Sequence, residues 1–185
     1  MSMQWIVLIV IVVLIVWIVA MYNKLVRFRN QVKNAWSQID VQLKRRHDLI
    51  PNLVETAKGY MTHERETFEA ITQARAQAMQ AKTVGETAQA ESQLQGALSK
   101  FNLVVENYPE LKANTNFLSL QEELTSTENK VGFSRQYYND QVLHYNNTIE
   151  SVPTNIVAGL FRFERSDFFE LESPAERAVP KVSFS

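Results

Sequence analysis

The chain has 185 residues, a formal net charge of -1, 45% hydrophobic residues and no cysteine. That length, less a membrane span, suits one domain of ordinary size, and the missing thiol excludes disulfides, thiolate metal sites, a cysteine nucleophile and a lipidated N-terminal cysteine. A charge near zero argues against nucleic acid as a main partner, and the scarcity of glycine and proline, five of each, favours helices over a turn-rich β fold.

From Trp5 to Met21 no residue is charged or strongly polar. At about 1.5 Å per residue this run, with Tyr22, covers roughly 27 Å, close to the ~30 Å hydrocarbon core of a bilayer. The preceding Met1-Ser2-Met3-Gln4 carries no Lys or Arg, and no small-x-small site closes the run. A retained anchor is therefore expected rather than a cleaved signal peptide. Trp5, Trp17 and Tyr22 stand near its two ends, where amphipathic rings favour the interface. Lys24, Arg27, Arg29 and Lys33 follow, and this bias predicts a single pass with the N-terminus outside and the C-terminal domain in the cytoplasm. The same cations can lie against anionic headgroups.

Beyond the anchor, apolar residues keep a seven-residue, coiled-coil-like register. Trp36, Leu43, Ile50 and Ala57 form one seam, and Val32, Ile39, Arg46, Leu53 and Tyr60 a second. The phase carries through Pro51, which predicts a kinked continuous helix ending near Gly59-Tyr60; a break at about Asp48 is the alternative. A second helix is expected from about Thr62 to Ala81, with Glu64 and Glu66 in its first turn and Phe68, Ile71, Arg75 and Ala78 inward. Thr83-Val84-Gly85-Glu86 reads as a capping box opening a third helix. That helix buries Leu94, Ala97, Leu98, Phe101, Val104 and Val105 and is stopped by Pro109. After a connection with room for one helical turn, a fourth helix is expected from near Asn116 to about Ser151. Its inner seam is Phe117, Leu124, Val131, Tyr138, Tyr145 and Val152, flanked by a polar seam of Leu120, Thr127, Ser134, Gln141 and Thr148.

Long first and fourth helices with short second and third ones suit an up-down-up-down arrangement. The fold class expected is all-α: an N-terminal transmembrane helix continuing into an antiparallel four-helix bundle. The divisions are an anchor at 1–22, a cytoplasmic bundle at 23–153, an aromatic segment at 154–173 and a disordered tail at 174–185. The aromatic segment carries Phe161, Phe163, Phe168 and Phe169 without a clear helical period. Its rings are expected to pack back onto the bundle; an exposed patch for a partner is the alternative.

Three stretches carry a resemblance. The run from Ala35 to Val54 (AWSQIDVQLKRRHDLIPNLV), the run from Leu120 to Lys130 (LQEELTSTENK), and Arg135-Gln136-Tyr137-Tyr138-Asn139 with the late Phe168-Phe169-Glu170 closely resemble the LemA family. The likeness extends over nearly the whole chain. It implies a bacterial single-pass protein of the inner (cell) membrane with an antiparallel helical bundle, and it brings no catalytic mechanism.

Motifs for chemistry fail on inspection. Thr62-His63-Glu64-Arg65-Glu66-Thr67 has Thr67 where a zincin helix needs its second histidine. Neither His63 nor His144 has a Glu three positions before it, as a di-iron bundle requires. No phosphate loop or nucleophile elbow occurs. No catalytic residue, metal or cofactor is therefore expected.

The polar residues of the signature stretches are the candidates for function. Arg46 falls on an apolar seam with Arg45, Asp48 and Asn52 nearby, and the fourth helix concentrates Glu122, Glu123, Glu128, Asn129 and Arg135. An interhelical ionic network that sets register is the sharper reading; solvated faces with i,i+4 pairs are the plainer one. The function expected is a non-catalytic scaffold or interaction module in envelope or membrane organisation. The alternative is an accessory or regulatory subunit of a membrane-bound enzyme, such as a protease or envelope-stress component. Expected partners are the lipid bilayer, other proteins and further copies of the chain, and no nucleic acid.

Overall fold

The structure, a computed structural model, describes residues 3–170; the expected disordered tail and the last residues of the aromatic segment lie outside them. Among the described residues all regular structure is helical: α1 (Met3–Lys58), α2 (Arg65–Gln80), α3 (Val84–Val105), α4 (Pro109–Lys112), α5 (Thr115–Glu150) and α6 (Thr154–Leu160).

Helix α1 runs through Pro51 without a break. Proline cannot supply the N–H that the His47 carbonyl would accept from one turn on. Arg75 of α2 replaces it, its Nε donating to that carbonyl at 2.7 Å. The inward Arg75 thus makes an uninterrupted helix affordable at Pro51. An Arg75→Met chain strands the carbonyl, and hydrogen bonds to charged groups contribute about 1.5–3 kcal/mol. Chemical denaturation should therefore show a loss of that order, and an unchanged midpoint would refute this role.

The helix starts follow local chemistry. Thr83 Oγ1 accepts from the Glu86 N–H at 3.2 Å, and the Glu86 carboxylate accepts from the N–H groups of Thr83 and Lys82 at 3.2 and 2.9 Å. These backbone donors hold the Glu86 carboxyl below the usual carboxylate range. Pro109 does not end α3, which stops at Val105. It opens α4 instead, because a residue without an N–H and with fixed φ suits a first helical turn. The cap of α5 is Asn114, two residues before the expected Asn116, with its Oδ1 accepting from the Phe117 N–H at 3.0 Å. Residues 154–160 form a helix that no period announced, since seven residues are too few to display one.

The described chain divides into two compact units, and α1 and α5 contribute to each. The first comprises α1 up to Asp40 with Gly132–Phe168. Its buried residues are Leu25, Val32, Ala35 and Ile39 of α1, Tyr138, Val142, Tyr145, Asn146 and Ile149 of α5, and Thr154, Val157 and Ala158 of α6. Trp36 meets Tyr138 edge-on, with ring centroids 5.3 Å apart. The non-helical segment after α6 is held by side chains of α5. Tyr145 donates to the Glu164 carbonyl at 2.9 Å and Tyr138 to the Asp167 carbonyl at 2.8 Å. Asn146 makes a reciprocal pair with the Ser166 backbone at 2.9 and 3.0 Å. Polar side chains of α5 thus supply hydrogen bonds that this non-helical backbone does not make to itself.

Burial pushes the Tyr138 phenol up to about 12, and the Asp167 carboxylate adds to the rise. An unfolded tyrosine ionises near ~10, so the folded state favours the neutral form. The stability this contributes is complete below that pH and is lost as pH rises toward the folded value. Denaturation midpoints should therefore fall between pH 10 and 12. A Tyr138→Phe chain, weaker at neutral pH for want of the hydrogen bond, should lose less over the same interval. Parallel profiles for the two chains would remove Tyr138 as the cause.

The second unit comprises Val41–Val131, joined by Phe169. One continuous core takes Ile50, Leu53, Val54 and Ala57 from α1, Phe68, Ile71, Ala74 and Ala78 from α2, and Ala90, Leu94, Leu98, Phe101 and Val105 from α3; Leu111 of α4 and Phe117 and Leu124 of α5 complete it. Here α1 also buries His47 and Val54, on a third seam beside the expected two, and Met61 is buried just beyond its end. Tyr60 and Val152, expected on inner seams, are exposed because α1 stops at Lys58 and α5 at Glu150, so the helical phase no longer applies to them.

Candidate functional site

The polar centre of the second unit is Arg46, whose side chain is 5% exposed. It sits in the seam Ile39, Arg46, Leu53, so the period that buries its neighbours buries it too. Its Nη1 meets Glu91 Oε2 of α3 at 3.1 Å, and its Nη2 meets Glu128 Oε1 of α5 at 3.2 Å and donates to Gln95 Oε1 of α3. The other oxygen of Glu91, Oε1, lies 2.6 Å from His47 Nε2. A carboxylate only accepts, so His47 carries its hydrogen on Nε2 there. At the adjacent position, Arg45 holds Glu123 Oε1 through Nη2 at 2.6 Å and Nε at 3.3 Å, in a far more exposed pair. Two buried atoms of α1, Gln42 Oε1 and Arg46 Nε, have no hydrogen-bond partner among the described residues.

The structure thus brings together Arg46, Glu128, Arg45 and Glu123 from the residues singled out in the sequence, and adds His47, Glu91 and Gln95. Asp48, Asn52, Glu122 and Asn129 stand exposed at the surface, and Arg135 is half-buried in the other unit. Glu91 carried a signal: it shares the seven-residue phase of Leu98 and Val105, an acid in an apolar seam as Arg46 is a base in one. His47 lay off both seams and carried none.

Chemically, the cluster is engaged rather than poised. Both Glu91 oxygens and both terminal nitrogens of Arg46 already have partners. Among the described residues no group of three or more His, Asp and Glu is disposed to hold a metal ion. An open groove of about 810 Å³ lies elsewhere in the unit, along Lys58, Met61, Arg65, Phe68, Glu69 and Thr72, and includes none of the Arg46 cluster.

In the first unit, the large apolar residues from Trp5 to Val16 are exposed around the whole circumference of α1, which is long and apolar enough there to cross a membrane. Trp17 and Tyr22 are half-buried, and Lys24, Arg27, Arg29 and Lys33 are exposed. Tyr22 packs on Phe161 and Phe163, with centroids 4.8 and 5.6 Å away, and Arg29 lies over the Phe163 ring at 5.1 Å. Of the aromatic segment, Phe169 is buried, Phe163 and Phe168 are half-buried, and Phe161 is exposed.

The model of the LemA family matches residues 35–184. Protein LemA of Metamycoplasma hominis is 31% identical over 138 residues, covering 74% of this chain and 63% of the relative. Magnetosome protein MamQ 2 of Paramagnetospirillum magneticum is 25% identical over 180 residues, 83% of this chain and 66% of that protein. Magnetosome protein MamQ of Magnetospirillum gryphiswaldense is 23% identical over a similar stretch. The chain spans a little under two thirds of the length of the curated relatives it matches.

Proposed function

Because the chain belongs to the LemA family, we propose that it is a membrane-anchored, non-catalytic module whose helical bundle binds other proteins or further copies of itself. The observation that carries this is the Trp5 to Val16 stretch, uncovered on every side, continuing without a break into the water-facing part of α1. Such a surface is stable in hydrocarbon and not in water. The basic flank supports a single pass through the inner membrane with the bundle in the cytoplasm. Short connections between α1, α2, α3 and α5 support an antiparallel four-helix arrangement in the second unit. A buried ionic cluster in which both Glu91 oxygens and both terminal nitrogens of Arg46 are engaged suits a rigid platform better than a reaction centre. The names of the MamQ relatives are consistent with a role at membranes.

Photo-crosslinking in intact membranes tests the binding role, with probes at the exposed apolar positions Met79 and Leu103. Crosslinks between copies identify a homo-oligomeric scaffold, and one abundant foreign membrane protein identifies an accessory subunit. No crosslink at any exposed face of the bundle would sink the binding role. Orientation is read with a Lys100→Cys chain and a membrane-impermeant thiol reagent: the cytoplasmic assignment requires labelling only after the cells are opened.

A further inference from the structure

The exposed apolar side chains around α6 are out of place on a water-facing surface. Val152, Ile156 and Leu160 are 79%, 67% and 69% exposed, and Phe161 follows. Ile156 and Leu160 lie one helical turn apart on α6, opposite the buried Thr154, Val157 and Ala158. What sets this face apart from a scattered exposed leucine is its position. Thr154 Oγ1 reaches Met21 Sδ at 3.8 Å, and the Phe161 and Phe163 rings meet Tyr22 in tilted and edge-on contacts. Met21 and Tyr22 are the last residues of the apolar span, so α6 is fastened where hydrocarbon gives way to headgroups.

A second observation concerns the chain just after α6. Phe163 N–H donates to the Ala158 carbonyl at 2.9 Å and Arg162 N–H to the Gly159 carbonyl at 3.3 Å, the pattern of a Schellman cap. Arg162 occupies its left-handed position, with φ 54°. Glycine adopts that conformation without the Cβ clash that an arginine meets. Arg162 is exposed and forms no ion pair among the described residues, while nearby Arg165 pairs with Glu150 at 3.0 Å. A strained backbone thus presents an uncompensated cation beside the apolar face, on the same unit as the exposed Lys24 and Arg27.

We infer that α6 and Arg162 form an interfacial foot: Ile156 and Leu160 enter the boundary between acyl chains and headgroups, and Arg162 contacts lipid phosphate. The occupant of the face is the bilayer that the Trp5–Met21 span crosses. Apolar residues backed by cations are the composition that lies in this layer, and an arginine offers the planar fork that phosphate oxygens accept. The inference rests on the membrane-anchor reading of α1.

The chain has no cysteine, so single environment-sensitive probes can be placed in the full chain as Ile11→Cys, Ile156→Cys, Leu160→Cys and Lys100→Cys. Each is reconstituted in vesicles of phosphatidylcholine and phosphatidylglycerol carrying shallow or deep nitroxide lipids. Deep quenching is expected at 11, shallow quenching at 156 and 160, and neither at 100. Adding Ile156→Asp to the Leu160→Cys chain should abolish the shallow quenching, with the probe at 11 unaffected. A quenched probe at 11 with 156 and 160 as open to aqueous iodide as 100 overturns the foot and leaves the anchor standing. No quenching at 11 overturns the anchor itself and the foot with it. Probes at 156 and 160 shielded in native membranes but not in pure lipid reveal a protein occupant and overturn the inference.

Discussion

An Arg46→Met chain should lose about 3–5 kcal/mol of stability, the usual consequence of removing one partner from a buried ion pair. The substitution leaves Glu91, whose side chain is 3% exposed, with only His47 against it, and removes the group that Glu128 and Gln95 share. Glu91→Ala should cost a similar amount by stranding the guanidinium. Arg46→Leu combined with Glu91→Leu should recover much of the loss, because both ions leave and apolar volume replaces them. By contrast, Arg45→Ala should cost only tenths of a kcal/mol to about 1 kcal/mol, since its pair with Glu123 is solvated. Urea denaturation of the full chain in detergent, followed by circular dichroism, gives these differences from midpoints at constant slope. A loss at Arg46 no larger than that at Arg45 would mean that the cluster does not hold α1, α3 and α5 together.

Two arginines at Val10 and Val13 should release the chain from the membrane. An arginine at the centre of a spanning helix costs about 2.5–3.5 kcal/mol on insertion scales, so the pair costs roughly 5–7 kcal/mol. Both positions are exposed, so no packing within the protein is lost. The expected result is a shift from the carbonate-resistant membrane fraction to the soluble or aggregated fraction. Val41→Arg is the control: Val41 is also an exposed valine of α1, 62% accessible, beyond the span, and should leave the partition unchanged. Membrane retention of the Val10→Arg/Val13→Arg chain would show that the chain beyond the span carries the attachment.

Much of the helical layout was legible along the chain because it rests on near neighbours. The box Thr83 to Glu86 closes over three residues, and the seams through Leu43 and Leu53 repeat within two turns. Arg46 could be read as buried because its phase is that of Ile39 and Leu53. Where the local pattern runs out, spacing misplaces a feature by a few residues. Pro109 opens α4 rather than ending α3, and α6 is too short to show a period. Glu91 was visible in phase with Leu98, but on the helix between two others its pairing could not be chosen from spacing alone. Phe161 and Phe169 stand in one aromatic stretch with no period to tell a packed ring from an exposed one, and only burial separates the two.

The sequence by itself determined the apolar span, the helical class and the Thr83–Glu86 capping box, since each depends on hydropathy, period or hydrogen bonds between residues close in the chain. Only the tertiary structure decided that Arg46 would meet Glu91, Gln95 and Glu128, that Arg75 would supply the hydrogen bond Pro51 withholds, and that Tyr138, Tyr145 and Asn146 would hold residues 164–167. Those pairings depend on the rotation and axial offset of helices far apart in sequence, which no local pattern encodes. They are enforced by desolvation: once packing removes water from a guanidinium or a carbonyl, whichever complementary group the neighbouring helix brings within reach must take its place.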